Sequence, residues 1–353
     1  MIKTFIVITF GCRVNQAESR VIGEELGKQG LLETKNQALA EVVVVNSCAV
    51  TVKAEKEIRQ AIRKIKRENP NCFLIVAGCW VEKIQRSEFK DLVDLFISNK
   101  DKDKIGSFFE RKLPITFYKD KYAQSAKALV KIQDGCNNYC TYCIVPYLRG
   151  RSASRAVDKI VKEIRELEAK KIKEVVLTGV DIADYSDLAG LLREILNKTK
   201  IKKISFGSVN INAFTPEFMS LIKDNSQISR HFHIPLQSGC DNTLKRMNRR
   251  YRIKNYESRI MDLKRKIPDF SFSTDIIVGF PGETNKEFEE SIRNLKNLRS
   301  LLGKKFKKIH IFRYSPREGT VAAKMIGRKD WEEVDNEIKK KRMEEVGRIL
   351  RSY

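Results

Sequence analysis

The chain has 353 residues, about two domains' worth, and its 42% hydrophobic and 32% charged content excludes wholesale disorder. The longest apolar run, Leu74 to Val81, falls far short of the ~18 residues a membrane helix needs, and the opening Phe5-Ile6-Val7-Ile8 meets polar Arg13, Asn15, Gln16 and Glu18 too soon for an export signal, so a soluble, cytoplasmic protein with no membrane partner is expected. Residues 1–118 carry 20 basic against 15 acidic groups (+5) and the remainder 49 against 30 (+19), a field that favours nucleic acid over a membrane surface.

Strand-like runs alternate with helix-like stretches almost throughout, which predicts an α/β fold with parallel sheets. In the first third the runs are Thr4–Phe10, Glu41–Val45, Cys72–Ala77, Leu95–Ser98 and Pro114–Tyr118. Apolar Ile58, Ala61, Ile62 and Ile65 recur at helical spacing within Ala54–Arg67. Residues 1–118 therefore form an expected open parallel sheet domain, and polar residues 119–127 an expected linker. Residues 128–353 offer six more runs: Ala128–Gln133, Glu174–Thr178, Lys203–Gly207, His231–Leu236, Phe272–Val278 and Lys308–Tyr314. Helical Val157–Ala169, Leu188–Asn197 and Glu287–Leu302 lie between them, and the tail Trp331–Arg351 reads as one charged helix. Six βα units fit either an incomplete TIM-like barrel or a doubly wound sheet.

Eight cysteines in a chain of this size, without export signals, read as reduced thiols rather than disulfides. Cys136, Cys140 and Cys143 form C-x3-C-x2-C directly after the first strand of the second part. Three thiolates on a short loop suit three irons of a 4Fe-4S cluster and leave the fourth open to an outside ligand. Structural zinc, which wants a fourth protein ligand, is the alternative, and a Cys140-x-x-Cys143 redox dithiol a weaker one.

Cys12, Cys48 and Cys79 each sit just past the carboxyl end of an expected strand, and in an open parallel sheet those ends share the edge where ligands bind. Three residues far apart in sequence thereby converge. Cys72 and Cys240 default to packing. The glycine turn at Gly279–Gly282 is a weak nucleotide signal, with a tight turn as its plain reading. His231 and His233 alternate on a strand and are expected to be ordinary hydrogen-bonded histidines. Tyr139, Tyr142 and Tyr147 crowd the cysteine loop, either to stack on a ligand or to pack.

Several segments together resemble the radical S-adenosylmethionine methylthiotransferases over essentially the whole chain. These are Gly11-Cys12-Arg13-Val14-Asn15-Gln16-Ala17-Glu18-Ser19, Asn46-Ser47-Cys48-Ala49-Val50-Thr51, Ala77-Gly78-Cys79, Gln133 through Pro146, His233 through Gly239, Met247-Asn248-Arg249, Thr274 through Glu283 and Tyr314-Ser315-Pro316-Arg317. The first resembles the branch acting on N6-threonylcarbamoyladenosine at position 37, beside the tRNA anticodon; the dimethylallyl (isopentenyl) adenosine and ribosomal-protein branches are the alternatives.

The resemblance implies a partial (β/α)6 TIM-like barrel behind the N-terminal sheet. It implies two 4Fe-4S clusters, one on Cys136, Cys140 and Cys143 that binds S-adenosylmethionine and cleaves it to a 5′-deoxyadenosyl radical, the other an auxiliary, sulfur-supplying cluster on Cys12, Cys48 and Cys79. Tyr142, Gly179 and Gly279 become expected contacts to the cofactor's adenosine part. The implied partners are a tRNA anticodon arm, an electron donor such as a flavodoxin or ferredoxin, and a sulfur source. An adenine C–H offers neither an acidic proton nor a leaving group, hence the radical, and a base in a single-stranded loop is readily splayed out. Family members usually end in a small β-rich RNA-binding domain; none is expected here, where the helical stretch Trp331–Arg351 is the last expected element. Asn210 stands where the family resembles Ser-x-Glu, and Cys240 where Ser is commoner.

Overall fold

The computed structural model describes residues 4–108, 126–267 and 269–349. The expected strand at Pro114–Tyr118 and most of the expected linker lie outside the described residues, as do the last residues of the tail.

The first part runs β1 (Thr4–Thr9), α1 (Arg13–Lys28), β2 (Leu32–Glu33), β3 (Val42–Ser47), α2 (Val52–Glu68), β4 (Phe73–Gly78) and β5 (Leu95–Ile97). Its five strands form one parallel sheet in the order β2-β1-β3-β4-β5, so chain direction reverses across the sheet between β1 and β3. Central β3 is buried along its whole length, which is why Val42 to Val45 read as a continuous apolar run rather than an alternation. On one face Ile58, Ile62 and Ile65 of α2 close over the sheet. Thr51 caps that helix by accepting from the Ala54 amide, worth about 1 kcal/mol.

Helix α1 was not legible in the sequence. It buries Val14, Ala17, Ile22 and Leu26 together with Asn15, Glu18, Ser19 and Arg20, because one side meets the sheet and the other meets the second part of the chain. A helix covered on two sides, one of them by polar partners, loses the single apolar stripe that periodicity detects.

The second part continues with β6 (Lys127–Lys131), β7 (Gln133–Asp134), α3 (Val145–Arg149), β8 (Ala153–Ser154), α4 (Val157–Ala169), β9 (Glu174–Thr178), α5 (Leu188–Lys198), β10 (Lys203–Phe206) and α6 (Pro216–Asp224). It closes with β11 (His231–His233), α7 (Asp241–Arg246), α8 (Ile253–Lys266), β12 (Ser271–Val278), α9 (Asn285–Leu302), β13 (Phe306–Arg313), α10 (Val321–Gly327) and α11 (Asn336–Arg348). Parallel ladders join β6 to β9 to β10 and β11 to β12 to β13, and a single bridge, Ser208 to His233, links the two sets. Among the described residues no ladder joins β13 back to β6. The result is an open six-stranded parallel barrel ringed by helices, which settles the choice left by counting βα units.

Two expected elements are shorter. Residues His231–Leu236 give a strand only to His233, because Pro235 lacks an amide and Gln237 takes φ +75°. The tail helix begins at Asn336, not Trp331, where the Asp335 side chain accepts from the Glu337 amide at 2.7 Å. No helix among the described residues is long and apolar enough to cross a membrane.

Candidate functional site

The strand ends of the N-terminal sheet deliver Cys12 after β1, Cys48 after β3 and Cys79 after β4. The first two flank the point where strand order reverses, the usual ligand crevice of such sheets. All three line one cavity of about 1290 Å³. Gly11 makes the approach possible: its φ is +102°, and a Cβ there would sit 2.4 Å from the Cys48 Cβ.

Each of these sulfurs has a polar neighbour. Cys79 Sγ accepts from Arg149 Nε at 3.2 Å and from Asn99 Nδ2 at 3.3 Å, and Cys48 Sγ from the Val50 amide at 3.4 Å. Cys12 Sγ faces Asn15 Oδ1 at 3.9 Å. Burial pushes the Cys48 thiol up to about 11, so without a metal it stays protonated at neutral pH.

Cys136, Cys140 and Cys143 follow β6 and the short β7 on a loop pinned across the carboxyl end of the barrel. Thr141 N donates to Met247 O at 3.1 Å, and Ala322 N donates to Thr141 O at 2.8 Å. Gly135, at φ +67°, permits the entry; a Cβ would lie 2.1 Å from Arg151 O. Cys136 Sγ accepts from the Asn138 amide and Nδ2 at 3.5 and 3.4 Å, and Cys140 Sγ from Arg249 at 3.4 Å. Burial raises Cys136 to about 11 and Cys143 to about 12. These are dry thiols that a cationic group must deprotonate in order to bind.

The donor chemistry discriminates between metals. Among the described residues the set of three ligand atoms lying within 4.8 Å of one another is Cys136, Asp181 and Asp184; neither cysteine trio is that tight. Sulfurs around one tetrahedral zinc would sit about 3.8 Å apart, given Zn–S near 2.3 Å. Wider all-thiol sets with N–H donors on their sulfurs fit a cluster, in which each sulfur meets its own iron. The three-cysteine geometry thus speaks against structural zinc.

The two trios are locked together by a buried ion network. Glu18 of α1 accepts from Lys102 at 2.7 Å, Lys131 at 2.9 Å and Arg149 at 2.9 Å, and Arg149 also meets Asp134 at 2.8 Å. Burial opposes the charge on Glu18, but Lys102, Arg149 and Lys131 outweigh it and hold the carboxyl well below its usual range. A second link joins Arg317, after β13, to Glu55 at 2.6 Å and to the Ala49 carbonyl beside Cys48. The Tyr314-Ser315-Pro316-Arg317 segment therefore fastens barrel to sheet.

Of the other expected site residues, Gly179 lines the cavity, where a Cβ would meet Gln133 Oε1 at 2.7 Å. Tyr142 is half-buried beside Cys140, its ring edge-on to Phe280 at 6.5 Å. Gly279 lies under α11, at φ +67°, where a Cβ would be 2.3 Å from Lys339 Cγ; its amide donates to Glu283. Asn210 donates to Asp181 at 3.3 Å. Cys72 packs in the core of the sheet domain, and buried Cys240 faces Glu290 Oε2 at 3.3 Å.

The histidines are hydrogen-bonded as expected, but they also share the cavity. His231 pairs with Ser271 at 3.0 Å, and His233 with Ser273 at 3.1 Å and Asp275 at 3.0 Å. Both line the barrel lumen with His310, the chain's third histidine. Reading motifs alone passed over His310, Asp275, Arg149 and Asn99. The signal for the first two is period-2 alternation on β12 and β13, whose alternate residues all face one lumen.

The comparisons agree with this architecture. A Radical SAM superfamily profile matches residues 130–295, and one for an uncharacterised protein family, UPF0004, matches residues 4–98. A threonylcarbamoyladenosine tRNA methylthiotransferase (MtaB) from Thermotoga maritima is 36% identical, over 92% of this chain and 78% of its own length. A tRNA-2-methylthio-N6-dimethylallyladenosine synthase from Thermodesulfovibrio yellowstonii is 35% identical, over 98% and 82%. In fold, the radical S-adenosylmethionine methyltransferase TsrM from Kitasatospora setae superimposes with a TM-score of 0.67 at 13% identity, covering 93% of this chain and 78% of its own. With relatives this similar over nearly its whole length, the chain belongs to the radical S-adenosylmethionine methylthiotransferases.

Proposed function

We propose that this chain is a tRNA methylthiotransferase that inserts a methylthio group at C2 of N6-threonylcarbamoyladenosine, at position 37 beside the anticodon. Enzymes of this family work with S-adenosylmethionine and two 4Fe-4S clusters. The observation that carries the reading is the approach of two cysteine trios: Cys12, Cys48 and Cys79 line the barrel-lumen cavity, and Arg149, just after the loop of Cys136, Cys140 and Cys143, reaches the Cys79 sulfur.

In this reading Cys136, Cys140 and Cys143 would hold the cluster that takes S-adenosylmethionine, and Cys12, Cys48 and Cys79 the auxiliary one. Bound together, these groups supply the radical, the sulfur and the methyl that replace the C2 hydrogen. The chain's own residues position and exclude water. Arg149 and Asn99 hold the Cys79 sulfur, Arg249 holds Cys140, and the Glu18 network fixes the distance between the trios. Tyr142, Gly179 and Gly279 would meet the cofactor's adenosine side.

The +19 charge of residues 119–353 would grip the phosphates of the anticodon arm. A one-electron donor such as flavodoxin or ferredoxin and a sulfur source would complete turnover, in the cytoplasm. The test is anaerobic turnover of tRNA after cluster reconstitution, followed by mass spectrometry of its nucleosides. A mass gain of a methylthio group on threonylcarbamoyladenosine is expected. Gain only on a dimethylallyl nucleoside, or on neither, overturns the reading.

A further inference from the structure

The lumen cavity carries an imbalance of charge that the cysteines do not explain. Seven Lys or Arg residues line it against two acids, Glu174 and Asp275. Both acids are engaged: Glu174 with Ser205 at 2.7 Å and Lys203 at 3.6 Å, Asp275 with His233 at 3.0 Å. Arg149 is taken up by Glu18 and Asp134. Arg13, Lys307 and Lys308 line the cavity without an ion pair to any described residue.

Two of these converge from opposite sides. Arg13 is the first residue of α1, next to Cys12, and reaches across to donate to Phe206 O at 3.3 Å at the end of β10. Lys308 alternates with His310 and Phe312 on the lumen side of β13, in register with Ser273, Asp275 and Ile277. Arg13, Lys308 and His310 line the same cavity, and burial, Lys308 and Arg13 all lower the proton affinity of His310. Phe312, at the carboxyl end of the same strand, is 51% exposed and lines the cavity. Lys308 and Phe312 lie four residues apart on one strand, about 13 Å, so an aromatic shelf and a cationic patch stand at two depths of one pocket.

With the flexible four-carbon stem of Lys308 reaching across part of that distance, the two levels suit a base with a charged substituent. In adenine the C2–H and C6–N6 bonds diverge by about 120°, a property of a trigonal six-membered ring. With C2 turned to the cysteine edge and the ring against Phe312, the N6 group points down the lumen. A threonylcarbamoyl group ends there in a carboxylate, and a dimethylallyl group in methyls that would strip water from cations and return nothing.

We propose that Arg13 and Lys308 form the anion site that receives the threonyl carboxylate and selects this nucleoside over the dimethylallyl one, with the adenine stacked on Phe312. The assignment rests on the methylthiotransferase reading above. Leu129 and Val176, on the other side of the lumen, offer the apolar surface that the threonyl methyl needs.

The test is binding, read by fluorescence anisotropy on the anaerobic holoenzyme. Four anticodon stem-loops are compared, carrying threonylcarbamoyladenosine, its methyl ester, dimethylallyladenosine or plain adenosine. The free acid should bind about tenfold tighter than the ester, a comparison that needs no variant. Arg13→Gln and Lys308→Gln should each cost about tenfold on the acid loop and less than about twofold on the other three. Equal losses on all four loops would mean that these cations hold RNA phosphate, and the proposal fails. It fails equally if the wild type binds acid and ester alike or if the variants lose nothing. A wild type that binds none of the loops instead removes the tRNA reading on which the proposal stands.

Discussion

Cys136, Cys140 and Cys143 come from one loop after a single strand, whereas Cys12, Cys48 and Cys79 come from the ends of three strands in one sheet. The first trio is held by loop hydrogen bonds such as Cys143 N to Cys140 O at 2.9 Å and Cys136 N to Gly150 O at 3.1 Å. The second depends on the register of β1, β3 and β4, so a slip in pairing would scatter it. A site of the first kind needs a loop, and a site of the second kind needs a whole sheet. The ion network around Glu18 makes the two answerable to each other, since Arg149, at the end of the α3 helix that follows the loop of the first trio, donates to the sulfur of Cys79 in the second.

The largest expected effect tests whether the sites are separate. Replacing Cys136, Cys140 and Cys143 together by Ala should take reconstituted iron from about eight to about four per chain and abolish turnover. The matching triple at Cys12, Cys48 and Cys79 should do the same. Loss of all iron in either triple would show that one site cannot be loaded without the other.

Next comes the junction. Glu18→Gln should cost about 3–5 kcal/mol, because Arg149 and Lys102, with side chains 3% and 5% exposed, would keep their charge without an answering carboxylate. The readout is the midpoint of denaturant unfolding. The pH dependence follows from the depressed carboxyl: its stabilisation is complete above the unfolded value of 4.5 and is lost as pH falls through the lower folded value. Wild type and Glu18→Gln should therefore differ most near neutrality and converge in acid. A gap that stays constant down to low pH would show that the network contributes packing rather than charge.

The smallest effect sharpens the contrast between loop and sheet. Gly11→Ala forces a Cβ at φ +102° to within 2.4 Å of the Cys48 Cβ, a strain of about 1–3 kcal/mol borne at the second trio. It should lower iron at Cys12, Cys48 and Cys79 and spare the other cluster. Gly135→Ala, at φ +67° against Arg151 O, should do the reverse. Electron paramagnetic resonance on each variant would separate the two signals, and parallel losses would contradict the independence of the sites.

Much of this was legible in the chain because it is local. The C-x3-C-x2-C loop, the apolar runs of β3 and β9 and the helices α4 and α9 are set by neighbours a few residues apart. Even the second trio could be read as three strand-end cysteines, since parallel strands put their carboxyl ends on one edge. Helix α1 could not be read, because its two faces are buried against different parts of the molecule.

The sequence alone determined the α/β alternation, the ligand-bearing loop and the basic excess, all of which are matters of composition and short-range spacing. Only the tertiary structure decided that six strands stay an open barrel, that Arg149 reaches Cys79, and that Arg13 lines one cavity with Lys308 and His310 of β13. Those contacts join residues up to hundreds of positions apart. Their partners are chosen by which faces remain uncovered once each layer has folded, and no periodicity in the chain records that choice.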